Sequence, residues 1–256
     1  MSADLVTFCI PLLPKAVAKD WITVVSLLND TLSSLRNQRD SRFRIFLAGH
    51  EMPELNVSSD LDINFLKAGW DPKSDLSHKL RDKRLKRKLL YRALREHGGG
   101  YAMFLDADDL VSNRVVEYVL KTRHPHGYLI SKGYGFDRIN KKLAPIPGVW
   151  TGNFDAVCGS CMIFNFHEND LPKGNDSDPA IFSNRLRRHS DWKSIAAEAG
   201  RSLMDLPFPG AVYVLNHSQN MHSEIATDRE EQVPRRIAAK AIPITKELIA
   251  EFSLPV

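Results

Sequence analysis

The sequence predicts an α/β protein with a parallel sheet, and three observations carry that expectation. Apolar, β-branched runs alternate with a stretch of helical spacing: Leu5–Ile10, then Trp21–Leu35, then Phe43–Ala48. Strand, helix and strand in that succession imply right-handed crossovers between parallel strands. A further short apolar run, Ala102–Leu105, has the character of a strand buried on both faces. The composition, 43% hydrophobic and 26% charged over 256 residues, suits one large globular domain or two small ones.

The first strand, Leu5–Ile10, is closed by Pro11 and Pro14, which give a rigid loop. In the following segment Trp21, Val24, Val25, Leu28, Leu32 and Leu35 fall near helical spacing. The second strand ends at Gly49, and the alternating Leu61–Leu66 reads as a third. Gly98-Gly99-Gly100 then interrupts the chain before Ala102–Leu105. That strand runs straight into Asp106, Asp108 and Asp109. Carboxylates at the carboxyl end of a core strand lie where open α/β sheets bind ligands. Three of them repel one another unless a cation is present, and hard divalent ions such as Mg²⁺ combine one or two carboxylates with phosphate oxygens. Asp109, just before Leu110-Val111, equally suits a helix cap.

Between Lys79 and Arg95 stand nine cations opposed only by Asp82. Leu85, Leu89, Ala93 and Leu94 mark a narrow apolar stripe, so the segment reads as a helix with one buried face. Most of its cations face water, and one or two are placed to meet phosphates. Nucleic acid is disfavoured, because Tyr91 is the segment's only aromatic stacking group. Beyond the carboxylates, Asn113–Lys121 reads as an amphipathic helix and Tyr128–Ile130 as a strand. Phe136–Asp155, with Pro145, Pro147, Trp150 and Phe154, reads as irregular, either lining a pocket or looping over the surface.

Cys158-Gly159-Ser160-Cys161 has the spacing of a redox or zinc motif, but no second pair completes a four-ligand site. The second cysteine leads into strand-like Met162–Phe166, so both are read as small packing residues. Three cysteines, an odd number, argue against a disulfide framework and suit a reducing cytoplasm. Ile181–Arg188 and Trp192–Ala199 read as helices, and Ala211–Leu215 as a strand followed by His217, Asn220 and His222. No apolar run is long enough to cross a bilayer, and the first residues do not read as a signal peptide. The tail from Glu230 is helical and basic at its start. It either packs on the domain or makes a peripheral contact with a membrane surface.

These residues resemble a known family. Leu105-Asp106-Ala107-Asp108-Asp109 is similar to the Asp-x-Asp motif of glycosyltransferases with the GT-A fold, above all the family 2 group. The opening strand ending at proline, the basic helix with Lys83-Arg84 and Lys88 ahead of the glycines, the Gly159-Ser160-Cys161 strand start, and Tyr213 to His217 agree with that pattern over roughly Leu5–Met221. The resemblance implies a GT-A-like, Rossmann-like three-layer sandwich with a mixed, mainly parallel central sheet. It implies a domain over 1–225, with a nucleotide-sugar half of about 1–112 and an acceptor half of 113–225, and a helical tail over 226–256. The activity implied is metal-dependent, inverting hexosyl transfer from a UDP- or GDP-sugar to a glycan or lipid-linked saccharide, in the cytoplasm or at the inner face of a membrane.

By the same resemblance Pro11, Leu12 and Ala107 would hold the nucleotide. Asp106 would contact the ribose or a metal-bridged diphosphate. Asp106, Asp108 and His217 would hold Mn²⁺ or Mg²⁺, and Lys83 and Lys88 would meet the diphosphate. Asp191 would be the catalytic base, with Asp155 or Glu168 next in line. The second strand ends Ala48-Gly49-His50-Glu51 where the family usually has two aspartates, which leaves Asp82 to substitute in base recognition. Two other readings remain: a nucleotidyltransferase, disfavoured by the glycine-free loop Pro11–Lys15, and a non-catalytic nucleotide-binding or scaffold protein.

Overall fold

Strand β1 (Val6–Pro11) is buried along its first five residues, as a central strand covered on both faces must be. The computed structural model describes residues 5–56, 60–173, 189–217 and 228–256. In it β1 lies between β2 (Phe43–Gly49) and β4 (Gly100–Phe104), parallel to both. The full order is β10 (Met204–Asp205), β6 (Gly127–Leu129), β9 (Met162–Phe166), β4, β1, β2 and β3 (Ile63–Lys67). Only β9 runs against the others. The sheet is therefore mixed and mainly parallel, as expected.

Because β9 is antiparallel to β4, its first residues adjoin the carboxyl end of β4, with Met103 opposite Ile163. This brings Asp106–Asp109 and Cys158–Cys161 to one sheet edge. The triglycine start of β4 has a steric cause. Gly98, Gly99 and Gly100 all have positive φ, and a Cβ on Gly99 would lie 2.4 Å from the Phe166 carbonyl oxygen.

Helices flank the sheet. Helix α1 (Trp21–Arg36) starts at Asp20, whose side chain accepts from the Ile22 N–H at 3.0 Å. Helix α2 (Leu76–Glu96), capped by Asp75, packs on β1 and β2, and α3 (Val115–Thr122) reaches β1. The buried stripe of α2 is only partly the one predicted: Ala93 and Leu94 are buried as expected. Leu85 and Leu89 are half-buried, while Asp82, Lys86, Leu90 and Leu94 are buried at i, i+4 spacing. Lys86 Nζ lies 2.6 Å from Asp82 Oδ2 and donates to the Leu12 carbonyl at 2.7 Å. Asp82 Oδ1 accepts from Trp70 Nε1 at 2.9 Å and pairs with His50 Nε2 at 2.8 Å. A buried pair is tolerated here because these partners take up the remaining hydrogen-bonding capacity.

The segment Phe136–Asp155 is not irregular throughout. It contributes to a second sheet in the order β5 (Leu110–Val111), β11 (Ala211–Leu215), β7 (Gly133–Asp137) and β8 (Lys142–Ile146). β7 and β8 form a hairpin whose turn is tied by Asp137, which accepts from the Asn140 backbone and side chain. Pro145 is admitted because β8 is an edge strand. A short helix α4 (Phe154–Val157) follows, and α5 (Trp192–Glu198) matches its expectation. The expected helix Ile181–Arg188, and Asn220 and His222, fall outside the described residues.

The tail packs on the second sheet. Ile237, on the helix Asp228–Ala239, is buried with Ala144, Val149 and Leu215. Phe252, on the helix Lys246–Phe252, is buried with Leu27, Leu110 and Phe136. Among the described residues no helix is long and apolar enough to cross a membrane.

Removing Asp82 leaves Lys86 charged in a site where its side chain is 1% exposed. Asp82→Ala is expected to cost about 3 to 5 kcal/mol in urea unfolding. Lys86→Met should cost less, since His50 and Trp70 still hold the carboxylate. An equal or larger loss in Lys86→Met would show that the pair does not organise this face.

Candidate functional site

A cleft of about 280 Å³ opens at the carboxyl ends of β1 and β4. One wall is apolar: Leu12 and Leu13 from the loop after β1, and Val24 and Leu27 from α1. The opposite wall is α2, which presents Lys79, Lys83 and Arg87 at successive four-residue steps. The floor is Asp106, Ala107 and Asp108, with Gly159, His189 and Tyr213 completing the boundary.

Asp106 faces the basic wall directly. Its Oδ1 lies 2.6 Å from Lys83 Nζ, and its N–H donates to Ser160 Oγ at 3.0 Å. Burial opposes its ionisation, but the charge and hydrogen bond of Lys83, with Arg87 and His189, outweigh it and hold the carboxyl below its usual range. Asp108 is partly exposed to the cleft, and its Oδ2 lies 3.1 Å from His217 Nε2. That contact is within ion-pair reach but out of line for a hydrogen bond. The His217 side chain is 1% exposed, and neither ring nitrogen has a hydrogen-bond partner among the described residues. Arg87 likewise has a buried Nε without a partner, with its guanidinium 5.5 Å from the Trp192 ring centroid.

Asp109 is neither a helix cap nor a cleft residue. It is fully buried and accepts from Ser160 Oγ at 2.6 Å, Cys158 Sγ at 3.1 Å and the Val214 N–H at 3.1 Å. Burial, then the charges of Asp108 and Asp106, push its carboxyl well above the usual range. Burial also raises the Tyr213 hydroxyl, reinforced by the acidic cluster around it.

Most of the residues expected from sequence therefore meet around one cleft: Pro11, Leu12, Asp82, Lys83, Asp106, Ala107 and Asp108 line it, with His217 behind Asp108. The structure places three other expected residues differently. Lys88 is not on the cleft wall; five residues beyond Lys83, it is turned roughly 140° around the helix. Asp82 reaches the cleft, and both its oxygens are engaged by Lys86, His50 and Trp70. Asp191 lines neither this cleft nor the cavity beside it; it ends a short 3-10 turn, His189–Asp191, and its carboxylate accepts from Ser190 Oγ. Sequence reasoning missed Arg87, His189 and Tyr213 as wall residues. The four-residue step from Lys79 to Arg87 was the available signal for Arg87.

Cation binding has a partial donor set here. Among the described residues no three His, Cys, Asp or Glu side chains converge tightly enough to hold an ion alone. Asp108 and the His217 ring paired with it, with Asp106 nearby, are the residues that could hold an ion taking the rest of its shell from ligand oxygens and water.

No protein-family model matches the sequence, and no curated protein matches it. Among solved structures, the chain is similar to a crystal structure described as a "putative nucleotide-diphospho-sugar transferase" from Desulfovibrio desulfuricans G20. The identity is 9% and the TM-score 0.41, over 92% of this chain and 98% of that one. A likeness of that degree assigns no residue and no activity.

All three cysteines are buried, and burial raises each thiol. Ellman's reagent is expected to label none of them in the native protein and all three in denaturant. Rapid native labelling of Cys158 and Cys161 would restore a redox or metal role to that pair.

Proposed function

We propose that the cleft binds a nucleoside-diphosphate sugar and that the protein transfers the sugar to a hydroxyl of a glycan or lipid-linked saccharide. One observation carries this reading: carboxylates at the end of a core strand face Lys83 and Arg87 across a cleft, with a buried imidazole, without a hydrogen-bond partner among the described residues, beside Asp108. Cations on one wall suit a diphosphate. Carboxylates on the adjoining floor repel the same diphosphate unless a divalent ion lies between them. The apolar wall of Leu12, Leu13, Val24 and Leu27 suits a nucleobase or ribose face.

Asp106, Asp108 and His217 would hold Mn²⁺ or Mg²⁺, and such an ion would offset the charge that builds on the departing diphosphate. Lys83 and Arg87 act on that same charge from the helix side. As the bond from the anomeric carbon to the phosphate oxygen breaks, its electron pair stays on the diphosphate. Fixed cations already aimed at that oxygen stabilise it without reorganising. Asp106 and Lys83 neutralise each other until a ligand arrives. The diphosphate then competes for Lys83, which releases an Asp106 oxygen toward the ribose or the ion.

Calorimetric titration of UDP and GDP, with and without Mn²⁺, tests the reading. Tight binding of at least one in Mn²⁺ is expected. Asp108→Ala should weaken it roughly tenfold to a hundredfold, the range of a lost charged contact. Lys83→Ala should weaken the diphosphate and leave the free nucleoside nearly unchanged. Diphosphate binding that is indifferent to both Mn²⁺ and Asp108→Ala would sink the metal–diphosphate arrangement.

A further inference from the structure

A second cavity, of about 500 Å³, adjoins the first. The two share three residues, Val157, His189 and Tyr213, so ligands filling both would meet there. Away from that wall the second cavity is bounded by Trp150 and Leu215, and by Val233, Gln232 and Arg236 on the helix Asp228–Ala239. The rings of Trp150 and Tyr213 have centroids 6.5 Å apart and planes tilted by 37°. An aromatic wall with an amide and a guanidinium across from it suits a saccharide, whose C–H faces lie on rings while its hydroxyls reach polar groups.

Resting on the donor reading above, we propose that this second cavity seats a saccharide acceptor and that His189, on the shared wall, accepts the proton of its attacking hydroxyl. The tautomer is fixed by the fold. His189 Nδ1 lies 2.7 Å from the Asp155 carbonyl oxygen, which only accepts, so Nδ1 carries the hydrogen. In the neutral ring Nε2 then holds a lone pair. The other residues of the shared wall do not serve: Val157 has no basic atom, and Tyr213 is held protonated by burial. Asp155 and Asp191 line neither cavity.

In the step, the acceptor O–H proton passes to His189 Nε2 as the acceptor oxygen bonds to the anomeric carbon. The bond from that carbon to the diphosphate oxygen breaks, and its electron pair leaves with the diphosphate. His189 afterwards returns the proton to solvent. The charges balance without any oxidant or further reactant.

His189→Asn and His189→Gln separate this role from a structural one. The Asn amide can keep the hydrogen bond to the Asp155 carbonyl but cannot take a proton. His189→Asn should therefore fold and still bind UDP with Mn²⁺, weakened by no more than about tenfold for one altered wall contact, while release of UDP at saturating UDP-glucose, with methyl glucoside as acceptor, falls about 100-fold or more. His189→Gln should be equally slow. Turnover within about threefold of wild type in the folded Asn variant would overturn the proposal. Long-range ¹H–¹⁵N spectra give a readout free of turnover: an Nδ1–H tautomer is expected, with Nε2 shifting when methyl glucoside is added to the UDP complex. An Nε2–H tautomer, or no shift at millimolar glycoside, would also overturn it. Trp150→Ala should weaken the glycoside response while leaving UDP affinity unchanged. Failure of the wild type to bind any nucleoside diphosphate would instead strike the donor reading, and this inference with it.

Discussion

The architecture of the cleft depends on one buried carboxylate that never reaches it. Asp109 takes three hydrogen bonds, from Ser160 Oγ, Cys158 Sγ and the Val214 N–H. Those donors come from the segment leading into β9 and from β11, so a single side chain joins the end of β4 to both sheets. Ser160 passes the constraint on, because its Oγ also accepts from the Asp106 N–H. Val214 passes it on along β11 toward Tyr213 and His217. Burying a carboxylate is costly, and its ionisation is made harder by Asp108 and Asp106. The three hydrogen bonds satisfy its oxygens and offset part of that cost. The fold therefore holds an unfavourable acidic cluster at a fixed place on the sheet edge.

Helix α2 supplies the opposing charge by dividing its residues between two faces. Asp82 and Lys86 face inward and fasten the helix to the Leu12 carbonyl, His50 and Trp70. Lys83 and Arg87, one position further along, face the cleft. The inward pair fixes the rotation of the helix, and that rotation decides which cations of a strongly basic segment meet Asp106. Arg87 is held further by the Trp192 ring beneath its guanidinium. A basic helix with a loosely fixed rotation would present an average of its charges and select no ligand.

The central sheet and the acidic edge were legible because they rest on patterns that depend only on neighbouring residues. An apolar run after three glycines must be a buried strand, and the carboxylates directly beyond it must lie at the sheet edge. The rotation of α2 was not legible, since nine cations in seventeen residues give no apolar stripe strong enough to set it. Its buried face opens with an ion pair, which hydrophobic periodicity reads as solvent-facing. The β7–β8 hairpin was hidden by Gly133 and Gly135, which erase the alternation of side chains, and by Pro145, which only an edge strand admits. Residue type alone singles out Asp191, whereas it is His189 that lines both cavities. In a three-residue turn the direction of each side chain follows from long-range packing, here the contact of His189 with the Asp155 carbonyl.

The C-terminal helices bear on the site more than their place in the chain suggests. Ile237 joins the core beneath β8 and β11, and this seats Gln232, Val233 and Arg236 along the second cavity. The helix Lys246–Phe252 buries Phe252 against Leu27 and Leu110, and Glu251 pairs with Arg114 at 2.8 Å. Leu27 also lines the first cleft. One tail thus braces both cavities, while the wall between them is made of residues from α4, the 3-10 turn and β11. The first cavity is therefore anchored in the central sheet, and the outer wall of the second is set by the helix Asp228–Ala239. The carboxylate edge of the first cavity is held separately, because Asp109 bonds to Ser160, Cys158 and Val214 and Ser160 in turn accepts from the Asp106 N–H.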